Sequence, residues 1–155
     1  MSKLIILCGP AGCGKSTWAK NYLAKHKNVE WISRDIVRFS MLKENDRYFS
    51  KEDDVYAEFC RLISEALAAG KTAIADATHL TEKARNLLIN TITYPIEDNN
   101  IITVDFQIPL ETVLTQNAQR TGRAYVPDTV VSKMWFRHTD PKGNARKYGE
   151  YIVIQ

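Results

Sequence analysis

The stretch that most constrains this chain is its first twenty residues. Lys3-Leu4-Ile5-Ile6-Leu7-Cys8 is an apolar run of strand length, broken by Gly9-Pro10, and a helical pattern begins at Lys15. Between them the spacing from Gly9 to Ser16 is G-x-x-x-x-G-K-S, a phosphate-binding loop (P-loop) in its strand–loop–helix setting. Gly9, Gly12 and Gly14 can take backbone angles that turn successive N–H groups inward around an anion. The helix that follows adds its positive N-terminal end. The pattern makes Gly12, Cys13, Gly14, Lys15, Ser16 and Thr17 the expected nucleotide-binding residues. Lys15 is expected to reach the β- and γ-phosphates and Ser16 to hold Mg²⁺. The alternative, a glycine-rich turn with no ligand, is disfavoured by the rarity of the full pattern at ordinary glycine content.

A chain of 155 residues suits one domain with one core, spanning residues 1–155. The net charge of +3 is too small to identify a nucleic-acid partner, so its distribution has to carry that argument. From Thr112 to Gly149 seven Lys/Arg face two Asp, whereas from Lys43 to Glu58 three Lys/Arg face six Asp/Glu. The basic end is therefore the C-terminal third. Cys8, Cys13 and Cys60 are an odd set without metal-ligand spacing, which suits a reducing cytosol. Cys13, inside the loop, is either a small filler or a thiol whose pKa the loop N–H groups and Lys15 lower. No signal peptide is evident and no run reaches transmembrane length, so a cytoplasmic protein without a membrane partner is expected.

Strand and helix patterns alternate along the chain. Strands are expected at about 3–8, 29–33, 72–76, 101–107 and 151–154. Helices are expected at about 15–25, 34–42, 51–69, 81–92, 109–119 and 127–137, with polar connections at 43–50 and 138–147. This alternation implies an α/β fold, a parallel sheet with helices on both faces, and ligand groups along the carboxyl edge of the strands. Four segments meet there: Gly9–Thr17, Arg34-Asp35, Asp76–Thr78 and the loop after Gln107.

Asp35 and Arg38, three apart on a helix, share one face. Beside a γ-phosphate the carboxylate could accept a proton from an attacking hydroxyl, and the arginine could grip an anionic acceptor. Equally, Asp35 could stabilise the helix dipole and Arg38 simply pair with it. Arg120 and Arg123 flank Gly122 in a segment, about 119–127, that could close as a lid over a triphosphate or be a solvated helix end. Asp76 could orient a Mg²⁺-bound water, contact an acceptor, or cap the next turn together with Thr78. His26 and His79 are expected at the surface or in caps, and His138 on the basic C-terminal surface. A base could stack on Trp135 or Phe136, although a core role is expected for at least one of them.

Taken together, Gly9–Trp18 (GPAGCGKSTW), Ser33–Arg38 (SRDIVR), Ala75–Arg85 (ADATHLTEKAR) and Asn117–Asp128 (NAQRTGRAYVPD) resemble, in order, the kinase module of polynucleotide 5′-kinases. These enzymes belong to phage and bacterial end-healing systems. The resemblance implies a nucleoside-kinase-like P-loop NTPase fold, a three-layer sandwich with an arginine-containing lid. It implies ATP or another NTP as donor, Mg²⁺ as cofactor and the 5′ end of DNA or RNA as acceptor, in the cytoplasm, of the host in a phage-encoded case. Lys15, Asp35, Arg38 and Arg120 would be catalytic, with Asp35 the general base and Arg38 holding the acceptor phosphate. Arg120 and Arg123 would clamp the donor, Ser16 would bind the metal, and Asp76 and Thr78 would contact the acceptor. The alternatives are a P-loop kinase of a small metabolite and a nucleotide-dependent switch or binding protein. A homo-oligomer through an exposed last strand is a further expectation.

Overall fold

The computed structural model describes residues 2–140 and 149–155. Strand β1 (Leu4–Cys8) is fully buried, with Leu4, Ile6 and Cys8 packed into one core layer and Ile5 and Leu7 into the other. Burial on both faces is why its sequence is continuously apolar rather than alternating. The chain continues through α1 (Lys15–Lys25), β2 (Val29–Ser33), α2 (Arg34–Met41), α3 (Glu52–Ala68) and β3 (Thr72–Asp76). It then runs through α4 (Glu82–Thr91), β4 (Ile101–Phe106), α5 (Leu110–Ala118), α6 (Asp128–Thr139) and β5 (Glu150–Ile154).

The strands form one sheet in the order β2-β3-β1-β4-β5, every pairing parallel. Phe59, Ile63 and Leu67 of α3 and Leu88 of α4 pack on one face. Ala19 of α1, Val113 of α5 and Val131 of α6 pack on the other. The result is the three-layer α/β sandwich that the alternating pattern predicts. Parallel strands put all their carboxyl ends on one edge, and with them the loops that follow β1, β2, β3 and β4.

Helix α6 runs two residues further than the sequence pattern suggests, to Thr139, and this moves His138 out of the expected polar connection. Val131 and His138, seven apart, lie on its buried face, with Trp135 half-buried between them. His138 is buried, with Nε2 2.6 Å from Asp105 Oδ1 and Nδ1 3.2 Å from the Leu80 carbonyl. A histidine with both nitrogens bonded is tolerated inside, so the expected surface placement is incorrect. The rest of that connection, residues 141–147, with Lys142, Arg146 and Lys147 of the basic third, lies outside the described residues. Among the described residues no helix is long and apolar enough to cross a membrane.

Candidate functional site

The P-loop takes its shape from two glycines. Gly12 has φ +86°, and a Cβ there would lie 2.9 Å from the Val113 carbonyl oxygen, so α5 packs directly against bare backbone. Gly14, at φ +102°, caps α1, and a Cβ on it would meet nothing within 4 Å because it faces open space. The first turn of α1 holds no acidic residue and no side-chain cap, whereas every other described α-helix has an Asp or Glu in its first turn. The amides of α1 are therefore left for an external anion. Lys15 is buried beside them and donates to the Gly9 and Pro10 carbonyls at 2.8 and 2.9 Å. Cys13 is buried too, and burial pushes its thiol above the ordinary value despite the opposing Lys15 charge. The loop does not create a reactive thiolate here.

Behind the loop, Ser16 Oγ donates to Asp76 Oδ2 at 3.0 Å, and Trp31 Nε1 donates to the same oxygen at 2.9 Å. Asp76 is buried at the end of β3 and fixed from both sides. A hydroxyl and a carboxylate side by side are hard oxygen donors of the kind Mg²⁺ takes, and the uncapped amides of α1 suit phosphate; these residues fit a magnesium nucleotide. The Thr78 carbonyl accepts from Gly9 N–H at 2.8 Å, joining the exit of β3 to the entrance of the P-loop.

Strand β2 delivers the next groups. Ser33 caps α2, its Oγ accepting from Ile36 N–H at 3.3 Å, and this sets Asp35 in the first turn. Asp35 Oδ1 accepts from Arg38 Nη1 and, at 3.1 Å, from the Tyr48 hydroxyl; its Oδ2 faces Arg120 Nη2 at 3.5 Å. Arg38 is buried and is more heavily engaged than the sequence suggests. Its Nε and Nη2 donate to Glu52 at 3.0 and 2.7 Å, and Arg34 Nη2 reaches the same Glu52 carboxylate at 2.6 Å. Burial alone would lower the Arg38 guanidinium, but the Glu52 hydrogen bonds, with Tyr48 and Asp35, hold it above its ordinary value.

The segment after α5 closes the fourth side. Buried Asn117 bonds both the carbonyl and the N–H of Val126, pinching residues 118–125 into a loop with a fixed base. From that loop Arg120 points at Asp35, while Arg123 Nη2 donates to the carbonyls of Lys43, Glu44 and Asp46. The arginine segment and the 43–50 connection thus meet over the same space. Gly12, Cys13, Gly14, Lys15, Ser16, Thr17, Asp35, Arg38, Asp76, Thr78, Arg120 and Arg123 all line one cleft of about 1230 Å³.

A family model described as an AAA domain matches residues 4–141. The chain belongs to this AAA domain family. Among solved structures, the AAA domain is similar to a chain of the Pnkp1/Rnl/Hen1 RNA repair complex. The identity is 20% over 96% of this chain and 47% of that one, with a TM-score of 0.79. It is also similar to a gluconokinase from Sinorhizobium meliloti, at 20% identity over 98% of this chain and 81% of that one (TM-score 0.61). A sugar kinase from Janibacter sp. matches at 14% identity over 99% and 85% (TM-score 0.67). The AAA domain therefore spans about half the length of the repair-complex chain. These likenesses give it a kinase-type P-loop fold.

Three partners of the cleft residues escape sequence reading, two of which, Glu52 and Tyr48, line the cleft and one of which, Trp31, lies behind Asp76. Glu52 appears only as the first acid of a helix start, and Tyr48 only as part of a polar connection. Trp31 faces Asp76 across two paired strands, a neighbour that appears only with the register Ile32 to Ala75 and Ser33 to Asp76. His79 also departs from expectation. It is buried, its Nδ1 lies 2.9 Å from the Leu7 carbonyl, and burial pulls its pKa down to about 4. Trp135 donates to the Ile108 carbonyl at 2.8 Å against the core, whereas Phe136 is exposed and lies outside the cleft.

Proposed function

We propose that the protein transfers the γ-phosphoryl group of ATP, or of another nucleoside triphosphate, to the 5′-hydroxyl of a DNA or RNA strand. The observation that carries this reading is Asp35, a carboxylate 41% exposed in the cleft that starts at the P-loop, with Arg120 3.5 Å from its Oδ2. A bound magnesium nucleotide supplies the phosphoryl group and neutralises its charge. In this reading Lys15 and the amides of Gly12 to Thr17 hold the β- and γ-phosphates, and Ser16 with Asp76 presents oxygen to the metal. Asp35 accepts the acceptor proton at Oδ2, the oxygen not committed to Arg38 and Tyr48. Arg120 and Arg123 bring positive charge to the spreading transition state, and Arg38 holds the acceptor phosphate. Catalysis is then positioning and electrostatics. The ordered motif blocks and the likeness to an RNA-repair chain support a strand end as acceptor.

A second reading, phosphorylation of a small metabolite, is favoured by one observation: Glu52 already pairs with both Arg38 and Arg34. The gluconokinase and sugar-kinase likenesses support it as well. Radiolabelled ATP offered to a 5′-hydroxyl oligonucleotide separates the readings. Label appears on the oligonucleotide, and sugars or nucleosides do not compete it away, if the acceptor is a strand; no transfer by protein that binds ATP ends the proposal. D35N lowers kcat by about 10²- to 10⁴-fold, the usual share of a general base, with ATP affinity within about twofold because Asp35 takes no part in donor binding.

A further inference from the structure

We propose that Phe49 is a stacking platform for a nucleobase in the first two nucleotides of the acceptor strand, an inference that rests on the polynucleotide reading above. Phe49 is 64% exposed, the most exposed of the large apolar side chains among the described residues, and it lines the same cleft as Asp35 and Arg38. A single exposed apolar residue is ordinary on a protein surface; its surroundings set this one apart. The Arg38 guanidinium carbon stands 5.6 Å from the Phe49 ring centre and 4.5 Å from that of Tyr48. The two rings meet edge to face, 4.6 Å apart at 80°. The Tyr48 hydroxyl in turn bonds Asp35. The open ring of Phe49 is therefore two contacts from the candidate base and one from the arginine assigned to the acceptor phosphate.

The loop that carries the ring is also held rather than loose. Ser50 N–H and Oγ bond the Arg47 carbonyl at 3.1 and 2.7 Å, Lys51 Nζ donates to the Met41 carbonyl at 2.9 Å, and Arg123 ties the start of the loop to the arginine segment. A platform fixed before binding loses little entropy when a flat partner arrives. Of the other large exposed apolar side chains among the described residues, Ile36, Leu87, Phe136 and Val153 lie outside the cleft, and Tyr125 and Val130 lie on its arginine-segment side. Phe49 is the exposed aromatic on the Asp35 side. A nucleobase one or two nucleotides from the reacting hydroxyl is the group an exposed ring beside a phosphate-binding arginine selects, because each base offers a π-face and each linkage a phosphate.

The test pairs variants with acceptors. An intact 5′-hydroxyl oligonucleotide is compared with one abasic at its first two positions, using wild type, F49A, F49L and F49W, with urea midpoints checking that each folds. Stacking predicts that F49A and F49L raise KM for the intact oligonucleotide about 5- to 100-fold with a smaller change in kcat. F49W restores KM, and on the abasic acceptor all four proteins match. Equal KM values on the intact oligonucleotide, or an equal loss on both acceptors, overturn the proposal while leaving the kinase reading standing. If no oligonucleotide is phosphorylated, the kinase reading fails, and the F49W indole decides the rest. Its fluorescence, above the wild-type background, is quenched saturably by the intact oligonucleotide and not by the abasic one if the platform is real; no difference between the two removes it.

Discussion

At Glu52 a single carboxylate sits between two guanidinium groups, those of Arg34 and Arg38. Burial would raise its pKa, but the Arg38 and Arg34 contacts outweigh that and hold it below the ordinary carboxylate value. Its contribution to stability is present above that ordinary value and lost as pH falls through the depressed one. Removing the charge in E52Q leaves the buried Arg38 without its main partner. The cost is about 1–2 kcal/mol, less than for a fully buried pair because Glu52 and Arg34 are about a quarter exposed. Urea denaturation at pH 7 measures it, and E52D recovers part of the loss. At this scale the sequence reveals partners that are close along the chain. The Asp35–Arg38 spacing on one helix face is legible; the Arg38–Glu52 pair spans a connection of undetermined path, so no periodicity announces it. The buried histidines escaped for a similar reason. What takes His79 and His138 inside is a carbonyl or carboxylate from a distant strand or loop.

Among the elements, the P-loop separates into a part that packs and a part that faces the cleft, and substitutions should divide the same way. In G12A the new methyl group would lie 2.9 Å from the Val113 carbonyl and 3.0 Å from Asn117 Cβ, on a residue at φ +86°. Overpacking and strain together cost about 3 kcal/mol, and the melting temperature falls. In G14A the methyl group has open space. Only the backbone cost of about 1–2 kcal/mol applies, yet Gly14 lines the cleft and opens the helix whose amides are left for an anion. G14A is expected to lose ATP binding out of proportion to its stability loss, and G12A the reverse; thermal melts beside titration with a fluorescent ATP analogue check both. Element identity was largely readable because β1, β3 and β4 are short apolar runs bounded by turn residues and the helices carry clear stripes. The end of α6 was not, because its final inward turn is made by a histidine rather than an apolar residue.

For the molecule as a whole, His79 links stability to pH. Burial keeps the imidazole neutral, lowering its pKa from 6.5 to about 4, with the Arg34, Lys15 and Arg85 charges acting in the same direction. Its Nε2 is buried with no hydrogen-bond partner among the described residues, so a proton placed there has nothing to receive it. The unfolded chain takes up that proton near pH 6.5 and the folded one does not, so stability falls as pH drops through this window. Between pH 6.5 and 5 the loss is on the order of 2 kcal/mol. H79N, whose side chain tolerates the φ of +40° found here, flattens the dependence in urea titrations at the two pH values. The parallel sheet and its carboxyl edge were legible from the sequence as a whole, but not which strand occupies which place. That order has a mechanical consequence. The phosphate loop hangs from β1, the middle strand of the five, while Asp35 hangs from β2 at the rim. The two halves of the cleft are therefore mounted on supports of unequal stiffness. Amides of β1 should exchange with deuterium only through global opening, whereas those of β2 and α2 exchange through local opening and slow when an acceptor is bound. In the proposed reaction, the distance between the P-loop and Asp35 would then be set by movement of the rim against a fixed centre.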